Sequence, residues 1–233
     1  MMRIKDTIKN KSVKSIGLIT IGQSPRADIL PDMMMILGDD YEVVEAGALD
    51  DHTLEEVRAL EIGPDDYLLV TRMRDGTEVK ITKKFVVPLI QRRIADLEKE
   101  GVGVILLLCT GRFPEFESEA LIVMPSEIVR GAVNAALRRG RLGVVYPARE
   151  QTAKAEKEWG REGLEVYADA ASPYGSEREL EQLAERLAER NLDLILLNCM
   201  GFGHKMKLLI KEKTGKPVIQ ANALVARVLK ELS

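Results

Sequence analysis

The chain has 233 residues, 45% of them hydrophobic, and its 34 basic and 37 acidic side chains leave a formal net charge of -3. That length is ample for one large core or two small ones, while so balanced a charge excludes the basic excess with which nucleic-acid binders neutralise phosphates. No stretch approaches the roughly 20 apolar residues of a membrane span, and residues 1–12 are polar and basic without a signal peptide's apolar centre, so a mobile leader on a cytoplasmic protein with reduced thiols is expected.

In chain order, Val13 to Ile21 reads as a strand and Gly22-Gln23-Ser24-Pro25-Arg26 as a turn rich in backbone donors. With Ser24 as cap and Pro25 in the first turn, a helix over Ala27 to Leu37 is expected. Its positive end would let Gln23, Ser24 and Arg26 hold a small anion. Tyr41 to Ala46 is a second strand, and the Thr53/Glu56 capping box opens a helix from Leu54 to Leu60. Asp75-Gly76, between Tyr67 to Met73 and Thr77 to Thr82, predicts a β-hairpin at one sheet edge. Its Arg72, Arg74 and Lys80 bring positive charge toward a pocket. Lys84 to Lys99 is amphipathic through Val87, Ile90, Ile94 and Leu97, with Gly101 as its stop.

Val102 to Leu108 is a continuous apolar run that ends in Cys109-Thr110-Gly111-Arg112. Such a run suits a strand buried on both faces of a parallel sheet. A short strand from Ala120 to Met124 and a helix from Glu127 to Arg139 follow. The order then begins again: strand Arg141 to Tyr146, helix Gln151 to Trp159, strand Leu164 to Ala168 and helix Glu177 to Arg190. The run Leu192 to Asn198 drives into Cys199-Met200-Gly201, then helix His204 to Lys213, strand Val218-Ile219 and helix Ala223 to Leu232. The repeat is too long for a solenoid unit and reads as duplication of an α/β half-domain. The expected fold class is α/β, with two pseudo-symmetric Rossmann-like or flavodoxin-like halves, largely parallel sheets and a cleft between them. Residues 13–125 with 222–233 would form the first half and 126–221 the second. Hinges are expected near Pro125 and Ala221.

Ligands bind beyond the carboxyl ends of strands in open α/β sheets, so the chain's two cysteines, Cys109 and Cys199, are expected to aim at one pocket. A basic thiol must be held as thiolate, which helix N-termini facing the strand ends would favour. Thr110, Gly111, Gly201 and Gly203 would let backbone donors approach a carboxylate and the enediolate formed from it. Arg112 is a candidate carboxylate clamp, and Glu127 a carboxylate at the start of its helix. His52 and His204 do not form zinc-ligand spacing with the thiols, so no metal is expected. No phosphate-loop lysine or dinucleotide glycine fingerprint follows a strand.

Thr20-Ile21-Gly22-Gln23-Ser24-Pro25-Arg26, Gly47-Ala48-Leu49-Asp50, the Leu-rich run before Cys109, and Leu197-Asn198-Cys199-Met200-Gly201-Phe202 resemble the blocks of the AroM family. That family lies within the aspartate/glutamate racemase superfamily, alongside hydantoin racemases, maleate isomerases and arylmalonate decarboxylases. The resemblance implies cofactor-independent chemistry beside a carboxylate, with Cys109 and Cys199 as the proton-transferring pair. Gln23, Ser24, Arg26, Thr110, Gly111, Arg112, Met200 and Gly201 would contact the substrate. The chain departs from racemases where they follow the cysteines with Asn-Thr and Thr-His, having Thr110-Gly111 and Met200-Gly201 instead. Gln23 stands where racemases commonly carry an acid. A racemase- or isomerase-like enzyme acting on a small carboxylate is the leading expectation. The alternatives are a non-catalytic carboxylate-binding or regulatory protein and a one-cysteine decarboxylase; related folds imply a homodimer.

Overall fold

In the computed structural model, which describes residues 14–232, two four-stranded parallel sheets carry the same wiring. The expected leader, 1–12, lies outside the described residues. The first half runs β1 (Lys14–Thr20), α1 (Leu30–Leu37), β2 (Tyr41–Gly47), α2 (Leu54–Arg58), β3 (Leu68–Arg72), β4 (Glu78–Thr82), α3 (Lys83–Lys99), β5 (Val104–Leu107), β6 (Leu121–Val123) and α4 (Pro125–Ala136). The second runs β7 (Gly140–Tyr146), a 3-10 turn (Arg149–Lys154), α5 (Ala155–Trp159), β8 (Leu164–Ala170), α6 (Glu177–Ala188), β9 (Leu194–Leu197), α7 (His204–Thr214), β10 (Val218–Gln220) and α8 (Ala221–Glu231). Strand order is β2-β1-β5-β6 in one sheet and β8-β7-β9-β10 in the other, so each of these eight strands has a counterpart in the other half.

The glycines at the centres of β1 and β7 carry the same duplication into packing. Gly17 pairs in register with Ile105 of β5, and Gly143 with Ile195 of β9. A Cβ on Gly17 would stand 2.8 Å from Leu97 Cδ1, and one on Gly143 2.6 Å from Leu192 Cδ1. At both places the leucine that leads toward the thiol strand fills the space a side chain would need.

Apolar faces of both sheets meet in one core, where Ile16, Leu18 and Leu106 join Leu142, Val144, Leu194 and Leu196. Burial of each such side chain contributes about 2 kcal/mol. The closing helices tie the halves together. Val225, Ala226 and Leu229 of α8 enter this shared core, and Lys230 Nζ donates to the carbonyl of Ile36 at the end of α1. Reciprocally, Arg130 of α4 donates to the carbonyl of Glu158 in α5 at 2.8 Å.

Four expectations are corrected. The first helix begins at Leu30, not Ala27, with Ile29 as its cap and no side-chain cap bond. Ser24 is held elsewhere, as described below. The hairpin β3–β4 is a separate two-stranded antiparallel sheet, not an edge of the parallel one. It lies against the second half: the Lys80 ammonium pairs with Glu150, Gln151 Nε2 donates to the carbonyl of Leu68, and Ser172 hydrogen-bonds Glu78. The expected helix Gln151 to Trp159 is a 3-10 turn followed by the short α5. The last correction concerns the fourth and eighth helices, which start earlier than expected, at Pro125 and Ala221. Among the described residues no helix is long and apolar enough to cross a membrane.

Candidate active site

The carboxyl ends of the central strands of the two sheets open onto one cavity. It is lined by Ile21 past β1, Leu108 to Arg112 past β5, Tyr146 and Pro147 at the end of β7, and Asn198 to Gly201 past β9. The strand β3 closes it with Leu68 to Thr71, and its free volume is about 50 Å³ for water-sized groups. Only a small molecule fits such a space.

Both cysteines stand in this lining, each two residues beyond its strand. The N–H of Gly111 donates to Cys109 Sγ at 3.4 Å and that of Gly201 to Cys199 Sγ at 3.5 Å. Thr110 Oγ1 donates to the carbonyl of Asn198 at 3.0 Å, so the two loops meet. The sulfurs are free thiols and no hydrogen bond joins them. Burial pushes the Cys109 thiol up to about 12 and the Cys199 thiol up to about 11, against the pull of one glycine N–H and of Arg26 on each. Among the described residues no helix N-terminus hydrogen-bonds either sulfur, although the first turn of α4 brings Ser126 into the same lining. Cys109 is followed by the irregular segment 110–120, and α7 begins only at His204. Each sulfur therefore has a single backbone donor where a helix end would present several.

Of the remaining residues expected to bind substrate, Arg26, Thr110, Gly111, Arg112, Met200 and Gly201 line the cavity, whereas Gln23 and Ser24 do not. Their polar groups are consumed in a lock. Asp50 accepts from Ser24 N at 2.8 Å, Ser24 Oγ at 2.7 Å and Gly47 N at 2.7 Å. Gln23 Nε2 donates to the carbonyls of Leu49 and His52, and its Oε1 accepts from Arg74 N. Gly47 is required there, because a Cβ would lie 2.4 Å from Asp50 Oδ1 and 2.5 Å from Ser24 N. The N–H of Arg26 is taken by Glu45 at 2.6 Å. The protein's own carboxylates thus occupy the place where a turn rich in N–H groups was expected to hold an anion.

Arg26 reaches the cavity from that locked turn and is 3% exposed. Its Nε and Nη2 make two bonds to Asp28, at 2.9 and 2.7 Å, its Nη1 one to Thr20 Oγ1 at 2.8 Å, and its Nη2 a further one to Tyr174 Oη at 2.9 Å. Burial works against the guanidinium's charge, but the Asp28 bonds and the nearby Tyr174 and Cys199 more than offset it and hold the group charged. Asp28 stays below the usual carboxylate range for the matching reason: burial opposes its charge and Arg26 overcomes that.

Beside Arg112, which the sequence singled out, the cavity holds Arg130, Lys154 and Glu158, which no local motif announced. Arg112, Arg130 and Lys154 bring three cations to the lining and Glu158 one carboxylate. Arg112 and Arg130 both donate to the Glu158 carbonyl, and Arg130 lies 5.1 Å from the Trp159 ring centroid. Tyr146 Oη donates to the Glu158 carboxylate at 2.8 Å and accepts from Trp159 Nε1 at 3.2 Å; burial, then Glu158, push this phenol up. Tyr67, pushed up to about 12 by burial, carries Lys154 Nζ 4.6 Å from its ring centroid, and its oxygen accepts the N–H of Arg112. Ser126, near the start of α4, also lines the space, whereas Glu127 does not. His52 stacks edge-on against Phe85, and His204 N–H donates to Asp32.

The model of the AroM protein family matches residues 16–233. Among solved structures, maleate isomerase from Pseudomonas putida is 13% identical at a TM-score of 0.61, with 94% of this chain and 93% of that one covered. Glutamate racemase from Aquifex pyrophilus is 16% identical at a TM-score of 0.58, covering 94% and 84%. An arylmalonate decarboxylase is 17% identical at 0.57, covering 93% and 92%. At these identities the likeness is one of fold, and it extends over nearly the whole chain. No curated protein sequence is significantly similar to this one.

Proposed function

The chain belongs to the AroM family, and from that premise we propose that it transfers a proton at the carbon beside the carboxylate of a small anionic molecule, using Cys109 and Cys199. The observation that carries this reading is the lining of one cavity by both thiols, each at the end of an equivalent strand. Two proton carriers that serve opposite faces of one carbon must be kept apart by the substrate, so thiols that share a cavity without bonding each other suit the task. One thiolate takes the α-proton and the C–H electron pair moves into the carboxylate as an enediolate. The other thiol returns a proton from the opposite face, giving the mirror-image acid or a rearranged one.

An anionic substrate follows from the charge of the lining. Arg26, Arg112, Arg130 and Lys154 outnumber Glu158, and even with Asp28 set against Arg26 a surplus of positive charge remains. The fold is shared with proteins named as racemases, a maleate isomerase and a decarboxylase, which supports chemistry of this kind. The raised thiols favour a second reading. Near neutral pH only a minute fraction of either sulfur is thiolate, as suits a protein that binds the carboxylate without turning it over.

Deuterium incorporation from heavy water into amino acids, hydroxy acids and substituted malonates, followed by NMR, separates the two. Exchange at an α-carbon that is lost in both Cys109→Ser and Cys199→Ser supports the pair. Loss in one variant alone points to one-thiol, decarboxylase-like chemistry, and unchanged turnover in both removes the thiols from the mechanism. Saturable binding with no exchange establishes the binding protein.

A further inference from the structure

Tyr174 lies in the segment between β8 and α6, where its N–H is held by Ser172 Oγ at 3.0 Å and Ser172 in turn hydrogen-bonds Glu78 of β4. It crosses from the second half to the first, and its phenol enters the lining of the thiol cavity together with Cys199, Gly201 and Arg26. Two contacts fix the place of this oxygen. A Cβ on Gly201 would stand 3.0 Å from Tyr174 Oη and 3.1 Å from Pro173 Cγ, tighter than most such contacts, so a glycine there lets the phenol and the loop approach without either giving way. Tyr174 Oη also ends a chain of bonds from Asp28 through Arg26, accepting from Arg26 Nη2 at 2.9 Å.

A phenol whose oxygen accepts from a guanidinium is polarised to donate its own hydrogen more strongly. Among the described residues that hydrogen has no acceptor: the Tyr174 oxygen receives the Arg26 bond and donates none. Burial, then the neighbouring Cys199, push the phenol above its ordinary range, so it keeps its proton at neutral pH. A half-buried, polarised O–H in the lining of the thiol cavity, with no acceptor among the described residues, is free to donate to an oxygen of the ligand.

We propose that Tyr174 is a catalytic residue whose O–H hydrogen-bonds the carboxylate oxygen that gains charge as the α-proton leaves. This rests on the proton-transfer reading above and adds a third group to the two thiols. The proton removed goes to a cysteine thiolate, the C–H electron pair goes into the carboxylate, and the phenol hydrogen stays on Tyr174. The bond strengthens as negative charge grows on that oxygen, so it stabilises the enediolate more than the substrate. Loss of one such donor costs about 10²- to 10³-fold in turnover.

The test uses the full chain carrying tyrosine labelled with ¹³C at Cζ, as wild type and as Tyr174→Phe. Titration with malonate is expected to shift one phenol resonance that is missing from Tyr174→Phe. On any acid the wild type exchanges, the variant is expected to lose about 10²-fold in kcat with KM changed only a few-fold. Wild-type kcat in Tyr174→Phe overturns the proposal, and so does a Tyr174 resonance that stays fixed at every malonate concentration. If the wild type exchanges no acid, the proton-transfer reading fails. The malonate titration then still decides whether Tyr174 meets the carboxylate, and a fixed resonance again overturns the contact.

Discussion

Cys109 and Cys199 each stand two residues past equivalent strands, and each sulfur accepts the N–H of the glycine two positions further on. Their company differs. Arg26 acts on both thiols, but Cys199 also stands close to Tyr174, while Tyr67 stands close to Cys109. None of these three partners belongs to the repeated strands. Arg26 comes from the turn after β1, Tyr174 from the segment before α6, and Tyr67 from the foot of the hairpin. Duplication thus supplies two sulfurs in matching positions, and unrepeated segments make them unlike. Burial dominates at both sites and pushes both thiols well above their ordinary value, Cys199 to about 11 and Cys109 to about 12.

The largest effects are expected at the sulfurs themselves. Cys109→Ser and Cys199→Ser should each lower α-carbon exchange by about 10²- to 10⁴-fold, the range for removal of a positioned acid or base. Arg26→Met strikes next. It leaves the Asp28 carboxylate beside the cavity without its two guanidinium bonds, and loss of a partner from such a buried pair costs about 3 kcal/mol, read as a lower urea midpoint. Asp28→Asn in the same chain should restore part of that loss, because the uncompensated charge is gone.

Asp50→Ala probes the turn from which Arg26 rises. Removing a carboxylate that accepts from Ser24 and Gly47 should cost about 2 kcal/mol in urea unfolding. The alkylation rates of the two thiols should keep their order, since neither Gln23 nor Ser24 touches the cavity. A reversal there would show that the lock sets the thiols apart.

Much of the scaffold is legible in the chain because apolar runs have one good use. Val104–Leu107 and Leu194–Leu197 are fully apolar, end near cysteines and become matched central strands. Local capping chemistry is equally readable: Thr53 with Glu56, and Ser176 before the amphipathic Glu177–Ala188, form capping boxes. The turn at Ser24 misleads for a physical reason. A serine before proline reads as a helix cap, but its acceptor is Asp50, 26 residues away, and no nearest-neighbour pattern contains that partner. Tyr67, Arg130, Glu158 and Tyr174 were missed likewise, since each arrives from a different loop or helix and carries no motif of its own. Tyr146 had a usable signal. It ends β7, the counterpart of β1, and the strand-end rule that singled out the cysteines applies to it as well. The lock also gives Gly47-Ala48-Leu49-Asp50 a meaning that the block alone does not: a glycine that makes room for the carboxylate three residues on.

The smallest expected effect isolates the comparison from any reaction. Iodoacetamide attacks thiolate, so its rate at each sulfur should climb with pH toward about 11 at Cys199 and about 12 at Cys109. The ratio of the two rates, measured by mass spectrometry of the alkylated peptides, reports how unlike the two sites are. Arg26→Met should shrink the ratio if the guanidinium creates the difference, and leave it unchanged if burial alone does. The raised thiols also bear on stability. An ordinary cysteine ionises near 8.5, and both folded thiols lie above that, so the folded state holds protons that the unfolded chain has released. Their contribution is whole below about pH 8.5 and declines as pH rises through 11 and then 12. Cys109→Ala and Cys199→Ala should therefore each flatten the alkaline fall in unfolding midpoint above about pH 8.5, because each removes one thiol that the folded state keeps protonated.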